Sequence, residues 1–117
     1  MIRFVLVFAS LALASGCSSS SSPSSPSNGT SVSIPVGARS LGASAYSPNP
    51  VTVTAGTTVT WTNGDSIAHT ATSDTAGIFD SGSIQPGGTF STMLQTKGTL
   101  TYHCTFHAGM VGTIVVQ

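Results

Sequence analysis

Between residues 51 and 62 the chain alternates apolar residues with threonine: Val51-Thr52-Val53-Thr54, then Thr58-Val59-Thr60-Trp61-Thr62. Successive side chains of an extended chain point to opposite faces, so this period of two buries one face and wets the other. The β-branched residues favour an extended backbone. Turn formers bound the runs: Ala55-Gly56, Asn63-Gly64-Asp65 and Gln85-Pro86-Gly87-Gly88. Gly and Asn tolerate the backbone angles that tight turns require. Further strands are expected at Ile67–Thr72, Phe90–Gln95, Thr99–Cys104 and Val111–Val116, with Phe79–Ile84 irregular or a short strand. No helical period appears beyond the first sixteen residues. The chain is therefore read as all-β, a sandwich or barrel of about seven to eight short strands.

Two segments precede this region. Met1-Ile2-Arg3 gives a positive start, Phe4 to Ala14 an apolar run, and Ala14-Ser15-Gly16-Cys17 a small-residue cleavage site. This is the pattern of an export signal over residues 1–16. The run is too short for a membrane-spanning helix, which takes about 20 residues. Ala-Ser-Gly before Cys17 resembles the bacterial lipobox, which implies lipidation at Cys17 and a protein anchored on the outer, periplasmic or cell-surface side of a membrane. Residues 17–33 are mostly serine, with Pro23, Pro26, Asn28 and Gly29, and read as a flexible linker. Such a linker reaches about 22 Å as a coil. Residues 34–117 form the expected folded domain.

Beyond the signal, two basic residues (Arg39, Lys97) stand against three acidic ones (Asp65, Asp74, Asp80). No basic stripe offers itself to nucleic acid, and no strong field steers charged partners. With Cys17 assigned to lipid, Cys104 is the remaining cysteine. An exported domain with one unpaired thiol needs a reason for it, and a metal-bound thiolate is one.

The neighbours of Cys104 supply that reason. Tyr102-His103-Cys104-Thr105-Phe106-His107-Ala108-Gly109-Met110 holds a thiol, two imidazoles and a thioether. A thiolate, two imidazoles and a weak axial Met are the ligands of a blue-copper electron-transfer site. The loop supplies His107, and His69 is the candidate for the second imidazole. It lies in phase with Ile67 and Ala71, on the expected inner face. Leu100, Tyr102 and Cys104 share one face of their strand, and Thr99, Thr101 and His103 the other.

The segment Cys-Thr-Phe-His-Ala-Gly-Met resembles the copper loop of the small cupredoxins, closest to amicyanin and plastocyanin-like domains. The similarity extends upstream to Val59-Thr60-Trp61-Thr62-Asn63, Asp65 and Ala68-His69-Thr70, and downstream to Val111–Val116, covering roughly residues 34–117. It implies a Greek-key β-sandwich binding one copper ion through His69, Cys104, His107 and Met110. The spacing of three between His107 and Met110 matches the short amicyanin-type loop. The resemblance also implies a monomeric electron carrier with no catalytic residues. Redox partner proteins would dock on an apolar collar of Phe106, Ala108, Gly109 and Pro86 around His107. Thr70 stands where many family members have Asn, and its hydroxyl is expected to tie its segment to Thr105. Asn63 and Asp65 are expected to brace the turn before His69.

Two rival readings follow from the same residues. A copper storage or delivery protein would need an accessible site, commonly rich in Met or His. Apart from Met1, this chain offers Met93 and Met110. An enzyme is expected to carry a second metal site or a carboxylate–histidine constellation. His103, directly before Cys104, matches a catalytic copper ligand of nitrite reductases, but the chain has three His in all. His103 is therefore read as an outward residue on the strand's far face.

Overall fold

The computed structural model describes residues 29–117. The signal at 1–16, Cys17 and the linker up to residue 28 lie outside the described residues. Among the described residues there are seven strands: β1 Gly29–Ile34, β2 Val51–Val53, β3 Thr57–Asn63, β4 Thr72–Ser73, β5 Thr89–Leu94, β6 Gly98–His103 and β7 Val111–Val116. Two short 3-10 turns, Ala38–Ser40 and Gly42–Ser44, join β1 to β2. One sheet has the order β1-β3-β5 and the other β2-β7-β6-β4. The pairs β1·β3 and β2·β7 are parallel, and the others are antiparallel. The all-β sandwich expected from the alternation is the fold observed.

The alternation does its work at every long strand. In β3, Val59, Trp61 and Asn63 are buried while Thr58 and Thr60 are only part-covered. In β6 and β7, Tyr102, Ile114 and Val116 turn inward. Trp61 sits at the centre, its ring 5.3 Å from Phe79, 5.7 Å from Phe90 and 5.5 Å from Tyr102. Each fully buried side chain of this size stabilises the fold by roughly 1.5–3 kcal/mol.

Two sequence expectations need correction. The folded region does not wait for residue 34, because β1 begins at Gly29 inside the serine-rich stretch assigned to the linker. Val32 and Ile34 alternate with Ser31 and Ser33, and β1 lies in register with β3, Val32 opposite Trp61. Serine content hid a strand whose inner face needs only two apolar residues. The expected strand Ile67–Thr72 is also not a strand. Its backbone makes isolated bridges, His69 with Ile84 and Thr72 with Asp80, and only Thr72–Ser73 pairs with β6.

The strand directions define two poles. β3 rises to Asn63 and β6 rises to His103, so the segments 63–71 and 104–110 share one end. Gly29, which pairs with Thr58, lies at the other end, where Ala55 N–H donates to the Gln117 carbonyl.

A close contact pins the two strands that carry the 104–110 loop. Tyr102 of β6 faces Gly112 of β7, and a Cβ at Gly112 would lie 2.3 Å from Tyr102 Cζ. Gly112→Ala is therefore expected to cost about 1–3 kcal/mol. A thermal melt of the metal-free protein should show a midpoint lower by about 4 °C or more.

Candidate metal centre

Cys104 follows the last residue of β6 and is almost fully buried. Its inward direction continues the phase of Leu100 and Tyr102. His69, fully buried, and His107, half-buried, converge on it from two different segments. The Cys104 Sγ lies 3.9 Å from His69 Nδ1 and 3.6 Å from His107 Nδ1. All three donor atoms lie within 4.8 Å of one another, and the two imidazole rings are 5.0 Å apart. Metal–nitrogen and metal–sulfur bonds of about 2.0–2.3 Å with open angles set donors roughly 3.5–4 Å apart. Both sulfur–nitrogen distances fall in that range, so the three donors are placed to share a single ion. Met110, fully buried, closes the loop that carries two of them.

That loop is short and internally tied. Cys104 N–H donates to the Met110 carbonyl at 3.0 Å, and Met110 N–H to the His107 carbonyl at 3.4 Å. Gly109 has φ 81°, a left-handed conformation that side-chain-bearing residues adopt at a cost. These bonds shape the loop from within.

The segment before β4 reaches the sulfur by giving up strand pairing. Thr70 N–H donates to Cys104 Sγ at 3.3 Å. A donor committed to a ladder could not do this, which accounts for the missing strand at Ile67–Thr72. The Thr70 hydroxyl accepts from Thr105 N–H at 2.9 Å, the tie expected from the sequence. On the other side, His69 N–H donates to the Ile84 carbonyl at 3.2 Å and Ile84 N–H to the His69 carbonyl at 2.7 Å.

Asn63 anchors the turn. Its Nδ2 donates to the Ile67 and Ile84 carbonyls at 2.8 and 2.9 Å, and its Oδ1 accepts from Asp65 N–H at 2.9 Å. Asp65 Oδ1 accepts from Ser66 N–H at 2.7 Å, and Oδ2 lies 2.8 Å from His69 Nε2. The hydrogen bond with His69 first, and that from Ser66 second, lower the Asp65 carboxyl to about 2. The bracing role expected for both residues is observed.

Tyr46 was not found from the sequence. Its hydroxyl donates to the Thr70 carbonyl, and its ring packs edge-on against Tyr102 at 4.6 Å. Burial raises the phenol above its usual range, and the charge of Cys104 and Tyr102 push the same way. A lone aromatic in a serine- and proline-rich stretch carries no periodic signal. His103, by contrast, is where it was expected: on the outer face of β6, its Nδ1 2.5 Å from Asp74 Oδ1. Hydrogen bonds from Thr101 and then His103 lower the Asp74 carboxyl.

The fold and donor set define a small blue-copper domain, a cupredoxin fitted for one type 1 copper. Residues 32–117 match the copper-binding proteins of the plastocyanin/azurin family, and the chain belongs to that family. It is 36% identical over 98 residues to the plastocyanin of Scenedesmus fuscus, covering 74% of this chain and 99% of that one. It is 34% identical over 90 residues to the plastocyanin of Vicia faba, covering 65% and 91%. Among solved structures, a purple cupredoxin from Nitrosopumilus maritimus aligns with a TM-score of 0.70 at 32% identity, over 75% of this chain and 99% of that one. An amicyanin variant in its reduced Cu(I) form aligns at 0.63 and 26% identity, over 76% and 82%.

Removing the Asn63 side chain would leave the Ile67 carbonyl and the Asp65 N–H without their partner and take one of two donors from the Ile84 carbonyl. An unmade bond of this kind costs about 1–3 kcal/mol. Asn63→Ala should therefore lower stability by at least about 2 kcal/mol, read as the urea midpoint at unchanged slope.

Proposed function

We propose that this protein is a one-electron carrier whose single type 1 copper is held by His69, Cys104, His107 and Met110. The observation that carries the reading is the convergence of two imidazole Nδ1 atoms on one buried sulfur, at 3.9 and 3.6 Å. Copper, when bound, supplies the one-electron change between Cu(II) and Cu(I). The protein supplies a frame that holds both states in one geometry. Cys104 and His69 are fixed by the sandwich and by Thr70, Asn63 and Ile84. Met110, fully buried, would supply the weak thioether donor when copper is bound.

His107 is the port. It is half-buried, while His69 is fully buried. Phe106 beside it is 53% exposed and Leu41 41% exposed. Leu41 adjoins Gly42, where a Cβ would lie 3.8 Å from the Gly109 carbonyl. Ala108, Gly109 and Pro86 are exposed as well. This apolar collar suits brief redox encounters, which use small interfaces. Storage or delivery is not favoured, because His69 and Met110 are closed to a receiving protein and Met93 sits on β5.

We further propose that the protein works as a monomer exported to the periplasmic or cell-surface side of a membrane and anchored through lipidated Cys17. No helix among the described residues is long and apolar enough to cross a membrane. The folded domain is entered at Gly29, at the pole away from the copper loop. A tether from that pole leaves the collar facing outward and raises the local concentration near membrane-bound partners.

Two experiments test these readings. The copper-loaded, oxidised protein should show the intense absorption of a thiolate–Cu(II) bond, and Cys104→Ala should abolish it. Met110→Leu should keep the colour and raise the reduction potential, because a weak donor to the oxidised metal is lost. Copper that stays blue after Cys104→Ala would refute the site. For the anchor, Cys17→Ser should shift the protein from the membrane fraction to the soluble one and abolish incorporation of labelled fatty acid. Unchanged fractionation and labelling would rule the anchor out.

A further inference from the structure

We propose that Asp65 is a charged positioning residue of the metal centre: its carboxylate holds His69 as the Nε2-protonated tautomer and keeps the reduction potential below the value that the ligands alone would set. The proposal rests on the assignment of His69 as a copper ligand.

The geometry leaves little freedom. Asp65 Oδ2 lies 2.8 Å from His69 Nε2, with side-chain exposures of 5% and 0%. An ionised carboxylate only accepts hydrogen bonds, so the ring proton between the two atoms belongs to Nε2. A neutral imidazole carries one N–H, and Nδ1 is then a bare lone pair. That bare nitrogen is the atom 3.9 Å from Cys104 Sγ. The contact therefore decides which nitrogen is ready to take a metal.

The carboxylate is itself held in place. Its other oxygen, Oδ1, accepts from Ser66 N–H, and the Asp65 backbone N–H is tied to Asn63 Oδ1. Asn63 in turn holds the carbonyl of Ile84, which accepts from His69 N–H. Asp65 and His69 are thus fixed to the same side chain, and neither can turn without breaking a buried bond. The spacing of four residues is not helical here, since the segment 64–71 contains no helix.

Charge adds to position. A negative group against the outer nitrogen makes the ring a stronger donor, as partners of ligating histidines generally do. Only 5% of the Asp65 side chain is exposed, so screening is weaker than at an open surface. Both effects favour the more positive, oxidised metal. Losing such a partner typically costs 10–100-fold in metal affinity. A tenfold loss confined to the oxidised state corresponds to about 59 mV for one electron.

The test uses the copper-loaded protein and its Asp65→Asn and Asp65→Glu variants. Asp65→Asn should stay blue and shift the potential upward by about the equivalent of a tenfold change, and Asp65→Glu should recover part of the shift. A blue Asp65→Asn protein with an unchanged or lowered potential overturns the proposal. Nitrogen NMR of the imidazoles in the unaltered, metal-free protein keeps it testable if the variants do not fold. A proton on His69 Nε2 supports the proposal, and a proton on Nδ1 overturns it. If the unaltered protein binds no copper or does not turn blue, the copper reading fails instead, and the NMR result still decides the tautomer.

Discussion

Water is almost excluded from the sulfur of Cys104, and a thiolate there is costly unless charge and hydrogen bonds compensate it. The structure meets the sulfur from three directions: Thr70 N–H at 3.3 Å and the two imidazole nitrogens at 3.9 and 3.6 Å. Only His107 is local to the strand that delivers Cys104. The other two come from a segment more than thirty residues earlier. The site therefore exists only when the segment 63–71 is packed against the loop 104–110. Thr70 is the joint, with its N–H on the sulfur, its hydroxyl on Thr105 and its carbonyl held by Tyr46.

This explains why the most irregular stretch of the domain adjoins its most regular strands. Regular pairing would have used the N–H of Thr70 and left the sulfur with one contact fewer. The chain instead satisfies residues 67–73 piecemeal, through Asn63, Ile84, Ser81 and Cys104. Groups positioned before the metal arrives need not reorganise when its charge changes. The β6–β7 pair, locked by Tyr102 over Gly112, gives the other half of the frame.

What was legible in the sequence follows from this division. Period-two segments such as Thr58–Thr62 and Val111–Val116 declare their strands, because burial of one face is their whole function. The ligand types at Cys104, His107 and Met110 are legible because they sit within one loop. His69 was placed by phase and resemblance, although it does not lie in a strand; its inward direction is set by Asn63 and Ile84. Tyr46 and Ser81 act through single hydrogen bonds from loops, and no period or motif announces such a contact. β1 was hidden for a different reason: parallel pairing with β3 lets it form with only Val32 and Ile34 on its inner face.

The three histidines show how environment separates roles within one residue type. His69 is backed by Asp65 and closed from water; His103 is backed by Asp74 on the outer face of β6. Among the described residues, neither ion pair involves His107, which lies half-buried among exposed apolar residues. Of the three acidic side chains, the third, Asp80, is used by Thr72 and Gly82. A charge-poor chain has thus placed two of its few carboxylates where they hold an imidazole still. His107, among exposed apolar residues, has no carboxylate partner among the described ion pairs. An anion beside His107 would hydrate the apolar residues around it. Beside His69 the same charge is turned inward, against a ring closed from water.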